Sequence, residues 1–350
     1  MKINPKSILL KTASYGDNYL SSNSFMQSGH NGPYQDNETP VRNNAHWAMI
    51  FLKSFEITGL EKYLDNAKIC INFLREHIKN KKVFICREKT KKDCVNGLIG
   101  QAWAIEPFIE IQKYENSVEL LQIASDLVNL HLFDEERGLW KISDESGNPT
   151  VLDYTFNHQL WFASICSEIN DQKIQHKVKR FLSNINKNLV VHNNGRIGQS
   201  IYINFFESDL KHYAKKLLRP QDIYYMKLKE VGYHAFNTFG FIRLYNNYSS
   251  NEFWSSKKFQ SILLYLNSTE YKEMIFKSKY GFPYNPPGFE VYATYLNFSK
   301  ICSLDESFVK QLWEHQIELC WNAQKGVLSE GSFDENTNIA RAYECFRCIK

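Results

Sequence analysis

The sequence predicts an all-α fold, an (α/α)6 toroid built from six helical hairpins with inner and outer helix layers. Three observations carry this. Apolar residues recur at three- and four-residue spacing along nearly the whole chain, and strand-like alternation is rare. The helical segments are of two kinds, one apolar nearly all round and one with a charged face. The two kinds alternate. A helix apolar on every side is buried and one with a polar stripe lies outside, so the order reads inner, then outer, around a ring.

The first inner helix starts near His46 as "HWAMIFLKSFEITG", and the amphipathic "EKYLDNAKICINFLREHIKN" follows it. The second starts near Gly97, "GLIGQAWAIEPFIEI", with "SVELLQIASDLVNLHL" outside it. The third starts near Asp153 and runs through "FNHQLWFASICSEI", with "QKIQHKVKRFLSNINKNL" as its partner. The fourth, "YHAFNTFGFIRLY", starts near Tyr233 and is followed by the shorter stretch Phe259 to Leu266. The fifth, "GFEVYATYLNFSKICS", starts near Gly288 and precedes "ESFVKQLWEHQIELCW"; the sixth starts near Asn336. The starts are roughly 50 to 80 residues apart, near the periods of repeat arrays and closed rings. No linker interrupts the series. The expectation is therefore one barrel domain over residues 1–350, with 1–45 as an N-terminal segment contributing to the cleft.

Composition narrows the function classes. At 43% hydrophobic and 15% aromatic residues, the 350-residue chain can bury a sizeable core. The net charge of +4 is small and the lysines are spread out, which argues against a nucleic-acid partner. No stretch approaches the roughly 20 apolar residues of a membrane helix, so no membrane insertion is expected. The N-terminal "MKINPKSILLKTASYG" has only a three-residue apolar run, too short for a secretory signal, and the eight cysteines are irregularly spaced. Both point to a cytoplasmic protein with reduced thiols, monomeric or a homodimer. Cys345 and Cys348 form a CxxC without a second pair, and the histidines fall singly on different helices. Neither a metal nor a cofactor is expected.

The chemistry gathers where the inner helices begin. The first carries Arg42, Asn43 and His46; the second, Asn96, Gly97 and Gln101; the third, Asp153, Asn157 and His158. The fourth carries His234 and Asn237, the fifth Asn285 and Glu290, and the sixth Asp334, Asn336, Arg341, Tyr343 and Glu344. In a toroid with parallel inner helices these starts meet at one mouth, where free N–H donors also favour anions. Many of the same residues serve equally as helix caps. The polar stretch "HNGPYQDNETPVRNNAHW" (30–47), with His30 and Asp36, then supplies the first wall of the cleft. Trp47, Trp103, Trp140, Trp161, Tyr34, Tyr154 and Tyr343 suit stacking on sugar faces as well as core packing.

Four segments resemble known families. "VLDYTFNHQLWFAS" (151–164) resembles the stretch bearing the catalytic Asp in unsaturated glucuronyl and rhamnogalacturonyl hydrolases. "GQAWAI" (100–105) is similar to a segment of those hydrolases and also of N-acylglucosamine and cellobiose 2-epimerases. "LFDEERGLW" (132–140) resembles a loop of the epimerases, and "YHAFNTF" (233–239) their helix with one of two catalytic histidines. The resemblance implies the six-hairpin glycosidase superfamily, whose fold is the toroid. The last inner helix, "TNIARAYECFR", lacks the second histidine of the epimerases.

Three functions are open on this reading. The match around Asp153 and Asn157 favours cleavage of an oligosaccharide or polysaccharide, acidic in character, by a glycoside hydrolase with Asp153 as acid/base. Proton abstraction next to a carbonyl is the alternative, as epimerase, isomerase or lyase, with His158 or His234 as base and Tyr343 as acid. A non-catalytic glycan-binding barrel is the third. In the enzyme readings His30, Asp36, Arg42, His46, Asn96, Gln101, Trp103, Asn157, Glu290, Arg341 and Glu344 hold the sugar, Arg42 and Arg341 being placed for its carboxylate.

Overall fold

The computed structural model describes residues 3–88, 93–202 and 220–349. Five inner helices pack side by side in chain order: α2 (Val41–Thr58), α4 (Gly97–Glu110), α6 (Phe156–Cys166), α8 (Pro220–Asn247) and α11 (Pro287–Phe298). The sixth inner element is the short α13 (Glu335–Ala340), continued by a 3-10 segment, Arg341–Cys348. That segment packs on α11 on one side and on α2 on the other, and so closes the ring.

Outside lie α3 (Glu61–Ile78), α5 (Val118–Leu130), α7 (Gln172–Asn188) and α12 (Glu306–Cys320), each on the inner helix before it. The short α9 (Lys257–Tyr265) and α10 (Thr269–Met274) cover α8, α9 through Phe259 against Phe241. Layer follows burial. Every residue of α4 is buried, whereas α3 buries Tyr63, Leu64, Ala67, Cys70, Ile71, Leu74 and Ile78, a helical stripe. Caps fix several starts: the Asp171 carboxylate accepts the N–H groups of Lys173 and Ile174 at α7, and Asp305 does the same at α12.

Three features depart from the sequence expectation. An unanticipated N-terminal helix, α1 (Pro5–Leu20), is the outer partner of the sixth inner element, capped by Asn4 with Pro5 in its first turn. The first and fourth inner helices begin earlier than expected, at Val41 and Pro220 rather than near His46 and Tyr233. An antiparallel three-stranded sheet follows α5: β1 (Phe133–Asp134), β2 (Leu139–Ser143) and β3 (Pro149–Leu152). Strands this short carry little periodicity. The sheet delivers Asp153 to the start of α6.

The inner helices run in parallel, as the two ends of the ring show. One end carries a cavity walled largely by residues at or before helix N-termini; the other carries a cavity walled by Lys53, Glu110, Arg243, Asn297 and Arg347 near C-termini. Cations at that end are favoured by the negative ends of the helix dipoles. Among the described residues no helix is long and apolar enough to cross a membrane.

Arg243 is the hinge of charge at that end: it is 6% exposed and bridges Glu106 at 2.6 Å and Glu168 at 2.8 Å. Arg243→Met leaves the buried Glu106 with only Arg347, 3.8 Å away. Breaking such a pair is expected to cost about 3–5 kcal/mol, read as a fall in the urea unfolding midpoint. Adding Glu106→Leu should recover most of the loss, and a single variant as stable as the parent would contradict the assignment.

Candidate active site

The first of these cavities, about 220 Å³, opens at the N-terminal mouth of the ring. Its floor is set by two backbone irregularities. Asn96 and Gly97 both adopt left-handed backbone, at φ +58° and +57°, immediately before α4. The turn aims the Leu98 N–H of α4 at Asp153, whose Oδ2 accepts it at 3.0 Å, while the Gly97 N–H goes to Asp93. Oδ1 accepts from Thr155 N at 3.1 Å, at the start of α6. The same carboxylate lies 2.9 Å from Nδ1 of His158. Burial opposes its ionisation, yet His158 and the two backbone donors hold the Asp153 carboxyl below the ordinary aspartate value.

His158 sits in the cavity wall with its side chain 21% exposed. Because Nδ1 faces Asp153, Nε2 is the ring nitrogen left for the cavity, and the carboxylate fixes that tautomer. The glycine at 97 is required twice, for its φ and for its lack of a side chain. A Cβ there would stand 2.5 Å from Asp153 Oδ2 and 2.6 Å from His158 Nδ1.

Positive charge lines the rest. Arg341, 1% exposed, faces Phe236 at 5.4 Å and binds Glu290 at 3.1 Å and Glu344 at 2.6 Å through Nη2. Burial pushes both carboxyls up, against the pull of Arg341, Glu344 to about 7; the charge of Glu344 adds to the rise at Glu290. The pair thus favours retaining one proton near neutrality, and the carboxylate that remains balances the charge of Arg341. Arg87 and Lys229 are the other cations of the wall, and no carboxylate lines the cavity among the described residues.

Of the residues expected from sequence, Asn96, Trp103, Asn157, His158 and Arg341 line this cavity. A second group lies directly behind them. Asp153 is behind His158, and Glu290 and Glu344 are behind Arg341. Arg42 lies 4.8 Å from the Trp103 ring, and His46 and Tyr343 stack on each other at 4.1 Å. Burial, with Arg42 and Arg341 nearby, pushes His46 well below the ordinary histidine value, so it is neutral.

The remaining residues expected from sequence are held by partners within the protein. The carboxylate that Arg42 meets is Glu38, 3.2 Å away in the N-terminal segment, so the guanidinium braces Trp103 instead of lining the cavity. His234 faces outward: Nδ1 accepts from Ile197 N at 3.2 Å and Nε2 meets the Ile262 carbonyl at 2.9 Å. Tyr233, one residue earlier, is the side chain that reaches the cavity. Tyr343 is buried against His46 and does not line the cavity. Gln101 braces the backbone of Phe84 and Val95. His30 bonds the Phe333 carbonyl at 2.7 Å, and Asp36 is buried outside the cavity wall. Trp47, Trp140 and Trp161 are core residues. From the opening stretch, Asn31 and Tyr34 do reach the cavity, and Asp334 anchors that stretch by accepting the N–H groups of His30 and Gly32.

Sequence reading did not single out Arg87, Gln199, Lys229, Tyr233 or Tyr284 as site residues. Gln199 comes from a loop beside the isolated bridge Thr155–Ser200, and Arg87 from a segment bridged to Glu38. Neither carries a local signal. Lys229 lies one turn before Tyr233 in a part of α8 whose polar composition hid the helix.

A ring of six hairpins with one polar mouth defines the class: the chain has the fold of the six-hairpin glycosidase superfamily. D-mannose isomerase aligns over 99% of this chain and 97% of its own, with a TM-score of 0.66 and 16% identity. An unsaturated glucuronyl hydrolase specific for heparin aligns over 98% and 95%, with a TM-score of 0.63 and 9% identity. At such identities the likeness is one of fold. The chain belongs to the family of archaeal glycosylation protein Q of Haloferax volcanii, being 32% identical to it across 97% of this chain and 96% of the relative. No family model matches the sequence.

Gly97→Ala tests the floor of the site, with Gly59→Ala as control. Gly59 has φ +67° and nothing within 4 Å of an added Cβ. The control should lose about 1–2 kcal/mol, the cost of a left-handed residue. Gly97→Ala should lose more in thermal unfolding and disturb His158 as well. Equal losses at the two positions would contradict the close packing described.

Proposed function

We propose that the chain is a sugar isomerase working by proton transfer next to a carbonyl, with the His158 Nε2 as base and an acidic sugar as substrate. The observation that carries this is the cavity wall itself, which holds a histidine bound to a buried aspartate and, among the described residues, no carboxylate. Hydrolysis with Asp153 as acid requires that carboxyl to carry a proton and reach the glycosidic oxygen. Here it is held ionised and is covered by His158 and two backbone donors. The hydrolase reading therefore yields to its alternative.

The step balances with one base. The imidazole removes the proton from the carbon beside the carbonyl, and the bonding pair moves to make an enediolate. Asp153 stabilises the imidazolium, and Arg341 offers positive charge to the oxyanion. The hydroxyl proton passes across the cis-enediolate to the former carbonyl oxygen, and as the new oxyanion closes to a carbonyl the same imidazolium returns its proton to the neighbouring carbon, giving the isomer. Inversion at a single carbon needs a second donor on the opposite face, and His234 and Tyr343 do not line this cavity. One-base isomerisation is thus favoured over epimerisation.

Two further points support the reading. The cavity, about 220 Å³, lies below the roughly 300–1,000 Å³ of sites for drug-sized ligands, and suits one sugar unit. The relative's name, a glycosylation protein, supports a sugar used in glycan assembly, free or lipid-linked. The eight cysteines, none of them in a disulfide, support a cytoplasmic setting.

His158→Gln is expected to lower the rate of D-glucuronate interconversion, followed by NMR, by about 10²–10⁴-fold. Sugar binding should stay nearly unchanged. His158→Gln with full turnover would overturn the reading, as would release of reducing ends from a uronic-acid oligosaccharide by the parent protein.

A further inference from the structure

The turn that brings Tyr34 to the cavity is held in an unfavourable backbone conformation. Tyr34 ends a 3-10 segment, Gly32–Tyr34, and the residues on either side, Asn31 and Gln35, have left-handed backbone at φ +59° and +50°. Neither is a glycine. Such conformations persist only where the surroundings enforce them, and they collect at functional sites. Here the enforcement is visible. Asp334 accepts the Gly32 N–H at 2.9 Å, and a Cβ at Gly32 would stand 2.1 Å from the Tyr284 ring. Asn31 Oδ1 accepts from the Tyr284 hydroxyl at 2.7 Å and from Arg42 at 3.2 Å.

What this turn places is one half of a hydroxyl pair. The Tyr34 hydroxyl lies 3.0 Å from that of Tyr233, and both residues line the cavity with His158. Tyr233 comes from α8, one turn before Phe236 of the same wall. Two hydroxyls bonded to each other share one proton and keep a second, with lone pairs to spare. Such a pair can accept a proton from one group while giving one to another. Tyr284, close enough to act on the Tyr233 phenol, is committed as a donor to Asn31. Burial holds Tyr34 and Tyr233 above the ordinary tyrosine value, so both stay protonated at neutral pH. The His158 chemistry leaves one proton without a protein carrier: the hydroxyl proton that must reach the former carbonyl oxygen.

We propose that the Tyr34 and Tyr233 hydroxyls are catalytic, carrying the sugar's hydroxyl proton between its two oxygens while His158 moves the carbon-bound proton. The sugar O–H bond breaks as its proton passes to one phenol oxygen. That phenol gives its own proton to the other, whose proton forms the new O–H bond at the former carbonyl oxygen. Both phenols end protonated, and no co-reactant is consumed. The pair is thus the route by which that proton crosses the enediolate. The inference rests on the proton-transfer reading and sets the orientation of the sugar, with its two reacting oxygens toward the tyrosines and its two reacting carbons toward His158.

The ratio of carbon exchange to conversion tests it. The whole chain is incubated with D-glucuronate in deuterium oxide, with isomer followed by NMR and deuterium in the recovered starting sugar by mass spectrometry. Without the relay the enediolate still forms at His158, and it returns to the starting sugar carrying solvent deuterium. Tyr233→Phe should therefore slow conversion by about 10²-fold and raise exchange per conversion about ten-fold or more over the parent. Tyr34→Phe should do the same. Tyr280→Phe keeps a ring that packs 5.5 Å from Tyr34 and 6.1 Å from Tyr233, and it removes a hydroxyl from outside the cavity wall. It should keep the parent ratio. A parent ratio in both Tyr34→Phe and Tyr233→Phe would overturn the proposal even if turnover fell, because exchange and conversion lost together mark a structural role. An equal rise in Tyr280→Phe would overturn it too. A parent that makes no isomer and takes up no carbon-bound deuterium removes the His158 reading and the relay with it; a parent that does both, with the ratio unmoved in the variants, removes the relay alone. Should Tyr233→Phe not fold, Tyr34→Phe decides the matter.

Discussion

The carboxylate of Asp153 is the point on which the mouth of the ring is built. It receives an N–H from the first turn of α4 and another from the start of α6, and it faces the His158 imidazole. Two inner helices and the cavity histidine therefore meet on one buried charge. Such a charge is tolerated only when its lone pairs are filled, and here backbone geometry fills them. The left-handed turn at Asn96 and Gly97 exists to bring α4 close enough, and a side chain at 97 would force the carboxylate and imidazole apart. Fold and chemistry share this interaction, so neither can be altered alone.

The ring also sorts charge along its axis. Parallel inner helices place their free N–H groups at the mouth and their carbonyls at the far end. At the far end Arg243 and Arg347 gather with Glu106 and Glu168, and Arg347 also donates to the Phe239 carbonyl. At the mouth, Arg87, Lys229 and Arg341 add to the positive ends of the dipoles. Behind Arg341 the two glutamates compete for one guanidinium, and burial makes their full ionisation unfavourable. The mouth thus gathers cationic side chains and helix N-termini in one place.

Much of this was legible in the sequence because burial on all sides leaves an unmistakable composition. The inner helices, such as "GLIGQAWAIEPFIEI", are apolar at every turn. Helix α1 leaves a weak signal because its buried residues, Pro5, Ile8, Leu9, Thr12, Ala13, Gly16 and Leu20, include too few large apolar side chains for a clear stripe. The strands were too short for a period. In the cavity wall, Asn96, Asn157, His158 and Arg341 are legible from sequence because they stand at or near the heads of buried inner elements. The Tyr233–His234 choice turns on about 100° of helix rotation, which adjacent residues in an apolar helix do not reveal. Arg42 was read as a substrate ligand because its pairing with Glu38 depends on the local turn of the chain before α2. Arg87 and Gln199 owe their positions to pairings distant in sequence, the bridges Glu38–Arg87 and Thr155–Ser200.

The central claim is that a carbon-bound proton passes through His158. Incubation with D-glucuronate and uronic-acid oligosaccharides in deuterium oxide, with mass spectrometry of the recovered sugars, addresses it directly. Solvent deuterium at one carbon of the sugar, at unchanged chain length and without an unsaturated product, is the result this account predicts. Shortened oligosaccharides with no carbon-bound deuterium would contradict it.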